Sequence, residues 1–158
     1  MSATVRRRAA VIIVSDRASR GVYEDKTGAA LQDLLQRLGY DVTGVTLIPD
    51  ELDRIAEILL GLSSSGVDYI VTSGGTGVAL RDVTPEATRR VLKKEIPGIP
   101  EMLRMKSLEK TPFAVTSRAV CGIIGKSIVH TLNARYHISL YYFRHSLQYS
   151  NSIKRPEP

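Results

Sequence analysis

Gly74-Gly75-Thr76-Gly77 follows directly on the apolar run Tyr69-Ile70-Val71-Thr72-Ser73. Glycines let backbone N–H groups approach a phosphate closely, and consecutive N–H groups form an anion-binding nest. No Lys-Ser/Thr pair follows, so this is not a P-loop, and the G-x-G-x-x-G dinucleotide spacing is missing. A phosphate cradle and a tight turn without a ligand both fit. Asp82 stands in Arg81-Asp82-Val83-Thr84-Pro85 and Asp50 in Ile48-Pro49-Asp50-Glu51, each just ahead of a predicted helix. Each is therefore either a helix cap or part of a site. Two carboxylates beside a phosphate loop suit Mg²⁺, which is held by one or two carboxylates plus phosphate oxygens.

Other reactive types offer less. His130, His137 and His145 show no metal-ligand spacing, and Ser63-Ser64-Ser65 reads as a loop. Cys121 is the single cysteine, which excludes an internal disulfide and fits a reducing cytoplasm. Beside Gly122 and with no evident base, it reads as a small buried hydrophobe.

The elements that must position these residues alternate. Residues 9–15 read as a buried strand, and Leu31, Leu34, Leu35 and Leu38 as the apolar stripe of a helix that Gly39 ends. Residues 42–48 give a second strand, 51–61 a second helix and 69–73 a third strand. Thr84-Pro85 marks an N-cap and first helical position for a helix over 85–95. A short helix follows at about 101–108, then strands at 113–120 and 126–132. This order predicts parallel βαβ units, with the active site at the carboxyl ends of the strands in loops 15–28, 49–53 and 73–84.

Composition and charge bound the partners. The 158 residues are 43% hydrophobic and 24% charged, which suits one globular domain. No apolar run reaches the ~18 residues of a membrane helix, and the apolar stretch after Arg6-Arg7-Arg8 is too short for a signal peptide. The net charge of +6 resides at the two ends. Residues 11–132 carry fifteen Lys/Arg and fifteen Asp/Glu. A nucleic-acid reader carries its basic face on the folded body, so neither nucleic acid nor membrane is expected as a partner.

Taken together, Ser15-Asp16-Arg17-Ala18-Ser19, Gly21-Val22-Tyr23-Glu24-Asp25-Lys26, Pro49-Asp50-Glu51, Thr72-Ser73-Gly74-Gly75-Thr76-Gly77, Arg81 to Thr88 (RDVTPEAT) and Thr116-Ser117-Arg118-Ala119 resemble the molybdopterin adenylyltransferase family of molybdenum cofactor biosynthesis. The G domain of gephyrin belongs to it. The match runs in order from about residue 8 to 132, and the loop SDRASRGVYEDK points to the MogA branch. The resemblance implies a three-layer α/β/α fold with a mostly parallel sheet, usually trimeric. It implies transfer of AMP from ATP to molybdopterin with Mg²⁺, releasing pyrophosphate. The family's essential aspartates fall on Asp50 and Asp82, which would hold the Mg²⁺. Its phosphate loop falls on Gly74, Gly75, Thr76 and Gly77. Ser107 falls at a pterin-side contact, and Ser15, Asp16, Thr72, Arg81, Ser117 and Arg118 fall among the substrate or nucleotide contacts. A molybdenum insertion protein of the same pathway is the implied partner.

After residue 132 the chain departs from that pattern. Thr131-Leu132-Asn133-Ala134-Arg135-Tyr136-His137 stands where the family has a Pro-Gly loop, and no closing helix is recognisable. All twelve glycines precede this point and four of the seven tyrosines follow it, which points to a changed reading frame. We therefore expect a basic arm over 1–8, a molybdopterin-binding domain to 132 and a divergent tail over 133–158. HISLYYF, a strand or a helix turn, should pack onto the sheet or into a subunit interface, with mobility from about residue 150. Two functions remain open: an adenylyltransferase, and a non-catalytic molybdopterin-binding or assembly relative with an incomplete pocket.

Overall fold

The computed structural model describes residues 6–133 and 138–153. Among the described residues, six strands form one sheet in the order β2-β1-β3-β6-β5-β4. They are β1 (Arg8–Val14), β2 (Asp41–Ile48), β3 (Tyr69–Ser73), β4 (Lys94–Glu95), β5 (Cys121–Ile124) and β6 (Ser127–Leu132). β1 pairs in parallel with β2 and β3, and β3 with β6. β5 runs antiparallel to both β6 and β4. The helices are α1 (Asp16–Ser19), α2 (Thr27–Arg37), α3 (Leu52–Ser64), α4 (Thr84–Val91), α5 (Gly98–Leu108) and α6 (Ile138–Ser152).

The central strands are apolar on both faces because both are covered. Along β1, Ala9, Val11 and Ile13 enter one core, while Ala10, Ile12 and Val14 enter the other. The first core takes Leu31 and Leu35 of α2, Ile99 and Leu103 of α5, and Phe143 and Leu147 of α6. The second takes Ile55 and Leu59 of α3 and Ala87 of α4. The chain leaves β1 toward β2 on one side and then crosses to β3 on the other. Right-handed crossovers in opposite directions put α2 and α3 on opposite faces of the sheet.

Three expectations change. Residues 113–120 do not form a strand. Pro112–Thr116 is a 3₁₀ turn, started by Thr111, whose hydroxyl accepts from the Phe113 N–H at 3.3 Å. The helix expected over 85–95 ends at Val91, and Lys94–Glu95 joins the sheet edge instead. The tail carries a helix after all. Phe143 and Leu147 lie one turn apart and are fully buried, and Ile153 packs against the same core. Residues 150–152 form the end of this helix. The expectations for residues 1–5, 134–137 and 154–158 lie outside the described residues.

Candidate active site

The strand order 2-1-3 creates a topological switch point, where ligands bind in open α/β sheets. The loops that follow β1, β2 and β3 meet there around a groove of about 580 Å³, of the size that takes a small-molecule substrate. Ser15, Asp16, Asp50, Gly74, Gly75, Arg81 and Asp82 all line it.

Neither aspartate caps a helix. Glu51 occupies the cap position of α3 and Val83 that of α4, and neither cap makes a side-chain hydrogen bond. The Asp50 carboxylate instead accepts from the Asp16 N–H at 2.9 Å, while the Asp50 N–H donates to the Asp16 carboxylate at 3.0 Å. Burial pushes the Asp50 carboxyl above its usual range, and the negative charges of Asp16 and Asp82 add to this. The Arg81 guanidinium, ion-paired with Asp16, holds the Asp16 carboxyl below it. Asp82 accepts from the Ala79 N–H at 2.9 Å.

The glycines of the loop are needed for closeness. A Cβ on Gly75 would sit 2.9 Å from Asp50 Oδ1, and one on Gly77 would sit 2.7 Å from Asp82 Oδ2. Both carboxylates thus lie against the glycine loop. Gly74 and Gly75 have φ of +105° and +66°, which other residues rarely adopt. The Gly74 N–H is already committed to the Leu132 carbonyl at 3.1 Å. The hydroxyls of Thr72, Thr76 and Thr84 are buried without a hydrogen-bond partner. Three such hydroxyls on and beside one loop are unusual, since buried polar groups are nearly always satisfied.

Arg118 acts on the loop from behind. Its guanidinium donates to the carbonyls of Gly77 at 2.7 Å and Asp82 at 2.6 Å and pairs with Glu86, while its N–H donates to the Thr76 carbonyl at 2.9 Å. Partial burial raises the Glu86 carboxyl, but hydrogen bonding and the Arg118 charge together bring it below its ordinary value. Thr72, Thr76, Gly77 and Arg118 do not line the groove, and neither do Ser107 and Ser117. The two serines share a second, tighter cleft with Arg104, Thr131 and Asn133, with a volume of about 20 Å³. That is room for about one water.

Arg17, Tyr23 and Lys26, not expected as site residues, also line the groove. Their signal was their place in the 15–28 loop after β1. The Tyr23 hydroxyl lies 3.0 Å from Ser15 Oγ, and Arg17 sits 5.8 Å from the Tyr23 ring centre. Cys121 is fully buried, and burial pushes its thiol up to about 12, which leaves it inert as a nucleophile.

Residues 10–144 match the family described as "Probable molybdopterin binding domain". This chain belongs to that family. The match passes residue 132 and takes in the first half of α6. Among members of the molybdopterin-binding family, the molybdopterin adenylyltransferase of Helicobacter pylori is 44% identical over 125 residues, covering 77% of this chain and 71% of that one. The molybdopterin adenylyltransferase of Haemophilus influenzae is 44% identical over 119 residues, covering 73% and 60%. Among solved structures, a MogA chain superposes with a TM-score of 0.86 at 34% identity, covering 92% of this chain and 98% of its own. The tungsten cofactor synthesizing protein MoaB from Pyrococcus furiosus gives 0.84 at 28% identity, covering 95% and 98%.

Proposed function

We propose that this chain transfers AMP from ATP to molybdopterin in molybdenum cofactor biosynthesis, releasing pyrophosphate. The observation that carries the reading is that Asp50 and Asp82 line one groove at the switch point, with their carboxylates close to Gly75 and Gly77. The relatives named molybdopterin adenylyltransferase support the choice of reaction.

The residues fit a magnesium ion delivered with the nucleotide. Among the described residues no cluster of three or more His, Cys, Asp or Glu could cage a metal alone. Two carboxylates that leave the remaining ligands to phosphate oxygens and water are the usual magnesium arrangement. Asp50 and Asp82 would hold the ion, which when bound neutralises charge on the triphosphate.

The chain itself supplies position and hydrogen-bond donors. With the Gly74 amide committed to Leu132, the N–H groups of Gly75, Thr76 and Gly77 are the donors suited to phosphate oxygens, while the three orphaned threonine hydroxyls are buried outside the groove's lining. Such donors stabilise charge as it develops on the departing pyrophosphate. Lys26, Arg17 and Arg81 line the same groove and balance the charge of two anionic substrates. Holding those substrates in line is most of the catalysis that phosphoryl-group chemistry needs. Arg118 fixes the loop's carbonyls. We assign Ser107 and Ser117 to the pterin end of molybdopterin, which requires their cleft to widen. A cytoplasmic homotrimer that passes its product to a molybdenum insertion protein completes the proposal.

The test is direct. Purified protein with ATP, Mg²⁺ and molybdopterin should release pyrophosphate and form adenylylated molybdopterin in equal amounts, with release depending on both substrates and the metal. Tight molybdopterin binding without pyrophosphate would instead indicate a non-catalytic binding protein.

A further inference from the structure

Asp16 joins three loops with one side chain. It follows β1 directly, and one of its carboxylate oxygens accepts from the backbone N–H of Asp50, which follows β2. The other oxygen pairs with Arg81, which belongs to the loop after β3. The Asp16 N–H in turn donates to Asp50 Oδ2. These two hydrogen bonds form a reciprocal clasp across 34 residues of sequence. The other oxygen, Asp50 Oδ1, lies close to Gly75 and leaves no room for a side chain there. Asp50 is therefore gripped on one oxygen, and its orientation depends on Asp16.

The Asp16 side chain is only 13% exposed, while that of its partner Arg81 is 64% exposed. Every oxygen of the Asp16 carboxylate already has a partner within the protein. A group used in this way is poorly placed to hold substrate as well. We propose that Asp16 is a positioning residue, whose carboxylate acts through Asp50 and Arg81 rather than on the substrates. This reading rests on adenylyl transfer at the groove and departs from the resemblance, which set Asp16 among the substrate contacts. Its energetic logic is that a misplacement of about 1 Å in a catalytic group costs roughly 10²-fold in rate.

The experiment compares Asp16→Ala with Asp16→Asn. Asparagine keeps an oxygen that can accept from the Asp50 N–H, and alanine does not. Asp16→Ala should lower kcat by about 30- to 100-fold while KM for ATP and for molybdopterin stays within about threefold, since orientation rather than ground-state binding is lost. Asp16→Asn should recover kcat to within about fivefold of wild type. The backbone amide of Asp50, followed by nitrogen–proton NMR and hydrogen exchange, gives a readout independent of turnover. It should stay hydrogen-bonded in wild type and Asp16→Asn, and move upfield and exchange at least tenfold faster in Asp16→Ala.

If Asp16→Ala does not fold, Asp16→Asn and the wild-type amide still decide the question. An unprotected Asp50 amide in wild type overturns the clasp. An Asp16→Ala protein with normal kcat overturns the positioning role. So does an Asp16→Asn protein as slow as Asp16→Ala that keeps its Asp50 amide, because the charge would then be needed directly. A wild-type protein with a protected Asp50 amide but no AMP transfer would count against the adenylylation reading and leave the clasp standing.

Discussion

Gly75 has φ +66°, accepts from the Thr84 N–H at 3.1 Å through its carbonyl, and faces Asp50. A side chain there faces two costs. A β-branched residue at positive φ is strained by about 1–2 kcal/mol, and its Cβ would push into Asp50 and Thr84. Gly75→Val should therefore weaken nucleotide or pterin-phosphate binding by at least tenfold, about 1.4 kcal/mol. Titration calorimetry with each ligand checks this, and unchanged affinity for both would make the loop a mere turn. The glycine run was legible in the sequence because few other residues suit such a backbone. The caps were ambiguous there, since an aspartate before a helix usually serves the helix. What sequence could not give was the Asp16–Asp50 clasp or the Arg118 brace, because both are contacts between residues more than 30 positions apart.

Elements set what the loops can reach. The strands β1, β2 and β3 were legible as short β-branched runs, and α2 as a leucine stripe. Residues 113–120 misled because Phe113 and Val115 alternate like a strand, yet in the 3₁₀ turn they are 65% and 66% exposed. The Thr111-Pro112 start decides the local backbone there. HISLYYF was undecidable from pattern alone, since aromatic and β-branched residues serve either state. In the structure the segment is helical, and Phe143 and Leu147, four residues apart, face the sheet together. On β6, His130 is fully buried with its ring edge-on to Phe143 at 5.3 Å, and burial pulls its pKa down to about 3.

That depression makes stability depend on pH. Above about pH 6.5 neither state holds the proton. As the pH falls below it, the unfolded chain protonates while folded His130 stays neutral, so stability falls, by up to about 1.4 kcal/mol per pH unit. Denaturant unfolding between pH 7 and pH 5 should show this slope in wild type and a shallower one in His130→Gln. Equal slopes would mean that His130 is not the group responsible.

At the scale of the molecule, two cores clamp one sheet, and the switch point collects the chemistry at one edge. α6 closes the first core through Phe143 and Leu147. Phe143→Ala should cost about 3–5 kcal/mol, with a melting temperature lower by on the order of 10 °C. A shift under 2 °C by calorimetry would show that α6 is not part of the cooperative core. The α/β class and the three site loops were legible from the alternation of elements, whereas the cover provided by α6 depended on tertiary packing. The proposed role of Asp50 and Asp82, set against the glycine loop, is to carry AMP transfer. It is tested by measuring pyrophosphate release from ATP and molybdopterin with wild-type and Asp82→Asn proteins of matched melting temperature. The account predicts substrate-dependent release by wild type and a loss of at least 100-fold in Asp82→Asn. Near-normal turnover by a well-folded Asp82→Asn protein would contradict it.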